Sequence, residues 1–185
     1  GVECGAQIIE FDVQYYNGIP VLSHDAPKGA EVTLEEAFFK VKEYENLKVN
    51  VDIKSVEYIH TVGEVAEKTD VKDRIFFTGV NDDFVSAVKK NCPDIEYYLN
   101  VNVLPKRKQT DEYLNSLVKK VKDSGAIGIN FNKKSATKRL VEVFHKNGLL
   151  VSIWTVNGYF KFRKIKSFGP DNITTRRPDK FKVAR

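Results

Sequence analysis

Five side chains in the first third of this 185-residue chain have types and spacings that could work together: Glu10, Asp12, His24, Asp52 and Lys54. Glu10-Phe11-Asp12 lies in an apolar run, and residues two apart on a strand point to the same side, about 6–7 Å apart along it. Two carboxylates on one face of an apolar strand repel each other and resist burial, and a cation between them relieves both costs. The run Val49-Asn50-Val51-Asp52-Ile53-Lys54 adds a third acid, followed on the same face by an ammonium. With no matching His or Cys cluster, an all-oxygen donor set suits one hard divalent cation, Mg2+ or Ca2+, and disfavours zinc. The plainer alternative is that the acids pair with Lys54 and other basic groups. His24 brings an imidazole, a side chain whose ordinary titration range lies near neutral pH, suited to protonating a leaving alkoxide. An idle loop histidine is the alternative there. His60 and His145 fall in helical stretches and read as structural, His145 near a helix C-terminus where its charge suits the dipole.

These groups need strands to hold them. Short β-branched runs occur at 7–13, 19–24, 48–54, 74–78, 95–101, 126–131, 149–156 and 172–174. Between them, apolar residues recur at helical spacing over 34–45, 56–68, 82–91, 111–123, 135–147 and 159–168. Thr33-Leu-Glu-Glu36 is a capping box opening the first helix, and Asn147-Gly148 is a helix stop. Strands separated by helices of this length predict parallel βα units. Most of the strands are continuous apolar runs, as parallel strands buried on both faces should be. The run 19–24 differs, because Tyr16-Asn17-Gly18 before it signals a hairpin, so it folds back antiparallel on the first strand.

The pattern predicts an α/β fold, a TIM (β/α)8 barrel, with the active site at the C-terminal ends of its strands. Without the hairpin arm seven staves remain, and an open seven-stave sheet leaves two costly edges. The chain contains no Met, and Gly1-Val-Glu-Cys-Gly-Ala leads into a strand with no helix start or cap. Both features lead to the expectation that the first βα unit is missing from the chain as given. Residues 1–185 read as one N-terminally incomplete barrel domain, without linkers or repeats.

Composition narrows the function classes. No apolar run reaches the ~20 residues of a membrane span, so stable membrane insertion is not expected. The net charge is +5, with basic residues gathered at Lys161–Lys166 and in the tail from Arg176 to Arg185. A solvated basic face explains them, with attraction to phosphate or a membrane surface as the alternative. They form no nucleic-acid-binding motif, and no nucleic-acid partner is expected. Cys4 and Cys92 lack metal or redox spacing, so free thiols and a cytoplasmic setting are expected, although an export signal upstream remains compatible.

The segments Gly5-Ala6, Ile9-Glu10-Phe-Asp12-Val-Gln14 and Asn17-Gly18-Ile-Pro-Val-Leu-Ser-His24-Asp25 together resemble the signature of the glycerophosphodiester phosphodiesterase family. Thr33–Glu36, Val51-Asp52-Ile-Lys54, Ile153-Trp-Thr-Val-Asn157 and Gly169–Asp179 follow in the family's order. Each motif alone is weak, and the ordered set is specific. The resemblance implies metal-dependent hydrolysis of a small-molecule glycerophosphodiester to an alcohol and glycerol 3-phosphate. It makes Glu10, Asp12 and Asp52 the cation ligands, His24 one of two catalytic histidines, Lys54 a phosphate contact and Trp154 part of the substrate pocket, against a plain core aromatic.

Several positions depart from the family pattern. Its His-Arg-Gly motif, which carries the other catalytic histidine, and its Glu-Asn-Thr segment are absent, and both belong to the stave that the count finds missing. Asp52 stands where Glu is more usual, Arg176 replaces Asn, and Asn172 replaces Gly. The segment between His24 and Thr33 is short where larger members carry a covering insertion. Two alternatives stay open: a non-catalytic barrel that binds phosphodiesters or a protein, and a lysophospholipase D-type hydrolase with an apolar rim of Tyr15, Tyr16 and Phe131. The sequence is silent on the oligomeric state.

Overall fold

A computed structural model describes residues 2–181, so the last part of the basic tail, 182–185, lies outside the described residues. The chain divides into two compact units, one mainly Ala6–Tyr97 and the other mainly from Tyr98 onward.

A 3-10 turn at Val2–Cys4, most of which belongs to the other unit, precedes β1 (Ile8–Tyr16), so a short helical turn stands where the sequence predicted none. β2 (Ile19–Leu22) runs antiparallel to β1 across a two-residue loop, with Tyr16 opposite Ile19. Asn17 (φ 51°) and Gly18 (φ 79°) are both left-handed, as a tight hairpin that follows the strand twist requires. β3 (Lys48–Ile53) and β4 (Ile75–Val80) add parallel strands on the other side of β1. The strand order is β2-β1-β3-β4. Val49, Asn50 and Val51, and likewise Ile75 to Thr78, are buried on both faces of the sheet, which is why these runs lack polar alternation.

Three helices accompany these strands: α1 (Leu34–Lys42), α2 (Ile59–Lys68) and α3 (Val85–Asn91). α1 begins at the expected capping box. The Thr33 side chain accepts from the Glu36 N–H at 3.2 Å, and the Glu36 carboxylate accepts from the Thr33 N–H at 2.9 Å. It buries Leu34, Ala37, Phe38 and Val41, one stripe at helical spacing. α2 and α3 begin three residues later than their apolar patterns. Before α2, Ile59 N–H turns back to the Val56 carbonyl. Before α3, the Asn81 side chain accepts from the N–H groups of Asp83 and Phe84 and holds them in a turn.

The second unit carries β5 (Tyr97–Asn100, entered at its first residue from the other unit), β6 (Gly128–Asn132), β7 (Leu150–Trp154) and β8 (Asn172–Ile173). Successive pairs β5–β6, β6–β7 and β7–β8 are parallel. α4 (Asp111–Ser124), α5 (Lys138–Lys146) and α6 (Tyr159–Lys166) lie between them. The helix expected over 135–147 is a 3-10 turn at Lys133–Ser135 followed by α5, because the Thr137 side chain caps the Leu140 N–H and starts the helix there. His145 is structural in outcome. Its Nε2 lies 2.9 Å from an Asp171 carboxylate that also accepts from Val151 N–H, tying α5 and β7 to the segment before β8.

Gly79 shows how tightly β3 and β4 approach. Its φ is +77°, and a Cβ there would lie 2.2 Å from the Ile53 carbonyl oxygen. Gly79→Ala is expected to lower unfolding free energy by at least about 2 kcal/mol, from backbone strain together with the clash. Urea denaturation followed by circular dichroism checks this, and an unchanged midpoint would refute the close-approach account.

Candidate active site

β1 and β3 lie side by side in parallel register, with Glu10 opposite Asn50 and Asp12 opposite Asp52. This register converts a spacing in sequence into a cluster in space. Glu10, Asp12 and Asp52 each offer a carboxylate oxygen, and the three oxygens lie within 4.8 Å of one another. Glu10 is exposed, while Asp12 and Asp52 are half-buried.

Lys54, two residues beyond Asp52 on the same face, reaches both aspartates. Its Nζ is 2.6 Å from Asp12 Oδ1 and also contacts Asp52 Oδ2. Burial on its own lowers the pKa of this ammonium, but hydrogen bonds and charge from Asp12 and Asp52 outweigh it and leave the net value above that of an ordinary lysine. Lys54 is therefore a cation at neutral pH. Pairing with Lys54 thus accounts for Asp12 and Asp52, and Glu10 is met by a neutral donor, Asn50 Nδ2, at 3.4 Å. Three carboxylate oxygens gathered this closely form a hard, all-oxygen donor set, which fits a divalent cation such as Mg2+ or Ca2+.

Two further residues support the cluster, and the sequence reading assigned neither a role. Thr78 Oγ1 lies 2.8 Å from Asn50 Oδ1 and 2.8 Å from Asp52 Oδ1, offering its single hydrogen between two acceptors. Both Asn50 and Thr78 are almost fully buried. The Asn50 amide has one sensible orientation, because reversing it would turn its oxygen toward the Glu10 carboxylate. Their signal was available as a polar residue at an inward position in each of two apolar strands. Recognising it required knowing which strands are neighbours.

His24 follows the hairpin arm. Ser23 N–H donates to the Asp12 carbonyl at 2.9 Å, so the backbone just before His24 is tied to a residue of the acidic cluster. The exposed ring faces Asp25, with Nδ1 3.0 Å from its Oδ1. The short segment after it is closed by Glu31, whose carboxylate accepts from the N–H groups of Lys28 and Gly29. The Lys28 N–H bond, with help from Gly29, holds the Glu31 carboxyl below the usual range against slight desolvation.

Trp154 belongs to the other unit, at the C-terminal end of β7, half-exposed and in register with Asn132 of β6. The proposed apolar rim does not form as expected. Phe131 is fully buried, because its neighbours Asn130 and Asn132 take the opposite face of β6 and leave it on the helix side. Tyr15 packs against Tyr58 with ring centroids 5.7 Å apart and its hydroxyl buried, and of the three only Tyr16 is exposed. Cys4 and Cys92 are free thiols, and burial pushes the Cys92 pKa up to about 11, making it unreactive. No helix among the described residues is long and apolar enough to cross a membrane.

Comparison with known proteins places this geometry in context. The Glycerophosphoryl diester phosphodiesterase family matches residues 28–180, a span that holds Asp52, Lys54 and Trp154 and begins after Glu10, Asp12 and His24. Curated proteins give no match. Among solved structures, the chain is similar to an Oleispira antarctica phosphodiesterase in complex with the product sn-glycerol-3-phosphate, with TM-score 0.78, 18% identity, and coverage of 96% of this chain and 84% of that one. A glycerophosphodiester phosphodiesterase from Parabacteroides distasonis ATCC 8503 gives TM-score 0.77, 18% identity, and 96% and 82% coverage. One from Agrobacterium tumefaciens str. C58 gives TM-score 0.77, 17% identity, and 99% and 89% coverage. At such identities the structural likeness speaks for the fold, which is α/β of the TIM-barrel type. The family match speaks for more: the chain belongs to the glycerophosphoryl diester phosphodiesterase family and is, by that membership, a phosphodiester-hydrolysing enzyme.

Proposed function

We propose that the protein hydrolyses glycerophosphodiesters to an alcohol and glycerol 3-phosphate, using one divalent cation, Mg2+ or Ca2+, held by Glu10, Asp12 and Asp52. The observation that carries this reading is the convergence of three carboxylate oxygens within 4.8 Å of one another, beside the Lys54 ammonium. Family membership supports the reaction class, and the product bound to the Oleispira antarctica relative supports the product.

When bound, the cation supplies positive charge that offsets the negative charge growing on the phosphoryl oxygens in the transition state. Lys54 adds to that from the protein side as a permanently charged donor. Asn50 and Thr78 hold Glu10 and Asp52 in place so that the donors need not reorganise during the reaction. In this reading an attacking oxygen, from water or the neighbouring glycerol hydroxyl, gives up its proton to a base and bonds to phosphorus, while the P–O bond to the alcohol breaks with its electron pair and His24 gives its proton to the departing oxygen. With Nδ1 turned to Asp25, Nε2 is the atom left to meet the substrate. Trp154 lines the pocket for the organic part of the substrate. The free thiols Cys4 and Cys92 support a cytoplasmic setting.

Two measurements test the reading on the protein with glycerophosphocholine. EDTA is expected to abolish turnover, and added Mg2+ or Ca2+ to restore it. Unchanged turnover after chelation would remove the ion from the proposal, and tight binding without hydrolysis would point to a non-catalytic barrel. Separately, His24→Ala is expected to lower kcat by about 10²–10⁴, the usual cost of losing a general acid. A wild-type rate in that variant would free His24 of its role.

A further inference from the structure

The second unit carries a surface that has no part in the reaction proposed above. Residues 155–170 contain no acid, and neither do residues 101–110. α6 packs through Ile165, which is 1% exposed, and through Phe162, whose ring stacks on Phe181 at 4.0 Å between centroids. At 100° per residue, the side of the helix opposite that contact is centred on Phe160. Phe160 is 85% exposed, and Tyr159, set edge-on against it, is 48% exposed. Arg163 and Lys164 follow Phe160 at i+3 and i+4 and so share its face.

A second basic segment lies in the same unit. The 3-10 turn Lys106–Lys108 follows β5 with all three residues exposed. The Lys106 ammonium is held below its ordinary range by slight burial and by the charges of Lys161 and Lys164. No acidic side chain pairs with any of them among the described residues. The turn is also firmly built. Buried Gln109 donates to the Leu104 and Ser135 carbonyls at 3.0 Å and 2.7 Å and accepts from Thr137, while the Tyr113 hydroxyl accepts from Leu104 N–H. Leu104 itself is 39% exposed.

A single exposed apolar side chain needs no explanation. A phenylalanine at the centre of a helix's outer face, beside cations that no acid pairs among the described residues and with Arg163 lying over the Tyr159 ring at 5.8 Å, is different. It is the arrangement by which a peripheral protein places an aromatic ring among lipid headgroups while its cations meet the phosphates. From it we infer that α6 and the Lys106–Lys108 turn form a docking surface for an anionic lipid bilayer, with Phe160 entering the interface and Lys106, Lys161, Arg163 and Lys164 facing headgroup phosphates. The inference does not rest on the reaction proposed for the acidic cluster.

The test is co-sedimentation of the full chain with vesicles of mixed phosphatidylglycerol and phosphatidylcholine, compared with phosphatidylcholine alone. Binding is expected only to the anionic vesicles and is expected to weaken with added salt. Lys161→Ala with Lys164→Ala should reduce partitioning by on the order of thirtyfold, whereas Lys89→Ala with Lys90→Ala, which removes the same charge from α3, should leave it intact. Phe160→Ser should also weaken binding while leaving circular dichroism unchanged. Equal binding to both vesicle types, equal loss in the two double-lysine variants, or full binding by Phe160→Ser would each overturn the inference. In the last case a charge-only partner such as RNA would become the better reading.

Discussion

Bringing Asp12 and Asp52 opposite each other on adjacent parallel strands, with Glu10 one turn of the pleat away, sets like charges within a few ångströms. At such separations two carboxylates repel by up to about 3–4 kcal/mol before solvent screening, at an effective dielectric of ~20. The immediate surroundings answer that cost. Lys54 spans the two aspartates, Thr78 offers its hydrogen to Asp52, and Asn50 donates to Glu10. Even Gly79 takes part indirectly, since the absence of a side chain lets β4 carry Thr78 close enough to reach β3. The gathering of three hard oxygen donors is what makes the cluster suited to a hard cation.

Features that depend on neighbours in sequence were legible in advance. The hairpin came from Asn17-Gly18, the first helix start from Thr33 and Glu36, and the shared face of Glu10 and Asp12 from strand periodicity alone. Asp52 and Lys54 could be placed on one face for the same reason. Features that depend on which strands meet were not legible. Asn50 and Thr78 look like incidental polar residues until the register of β3 with β1 and β4 is known.

Helix starts and strand faces show where pattern reading loses precision. Apolar spacing extended three helices backward into segments that are turns, because periodicity cannot see side-chain caps such as the Asn81 carbonyl oxygen, which captures two backbone N–H groups. Phe131 was assigned to a rim although its alternation with Asn130 and Asn132 puts it on the other face. A similar parity argument explains the polar row across the second unit, where Asn130 donates to Asn100 and Asn172 to Ser152 at equal register. The Asn130 side-chain oxygen, buried without a partner in the structure, is the one costly member of that row.

The pairing of β1 with β3 also constrains how this region can vary. Successive residues of a strand face opposite ways, so a slip of β1 by one position would turn Phe11 toward the acids' side and carry Glu10 and Asp12 to the face away from Asp52. The Asn17-Gly18 loop clamps one end of β1, and Ile8 opposite Lys48 marks the other limit of the register. Substitutions along β1 can be absorbed one side chain at a time, but a single inserted or deleted residue there would part Glu10 and Asp12 from Asp52, making segment length as much a part of the chemistry as residue identity.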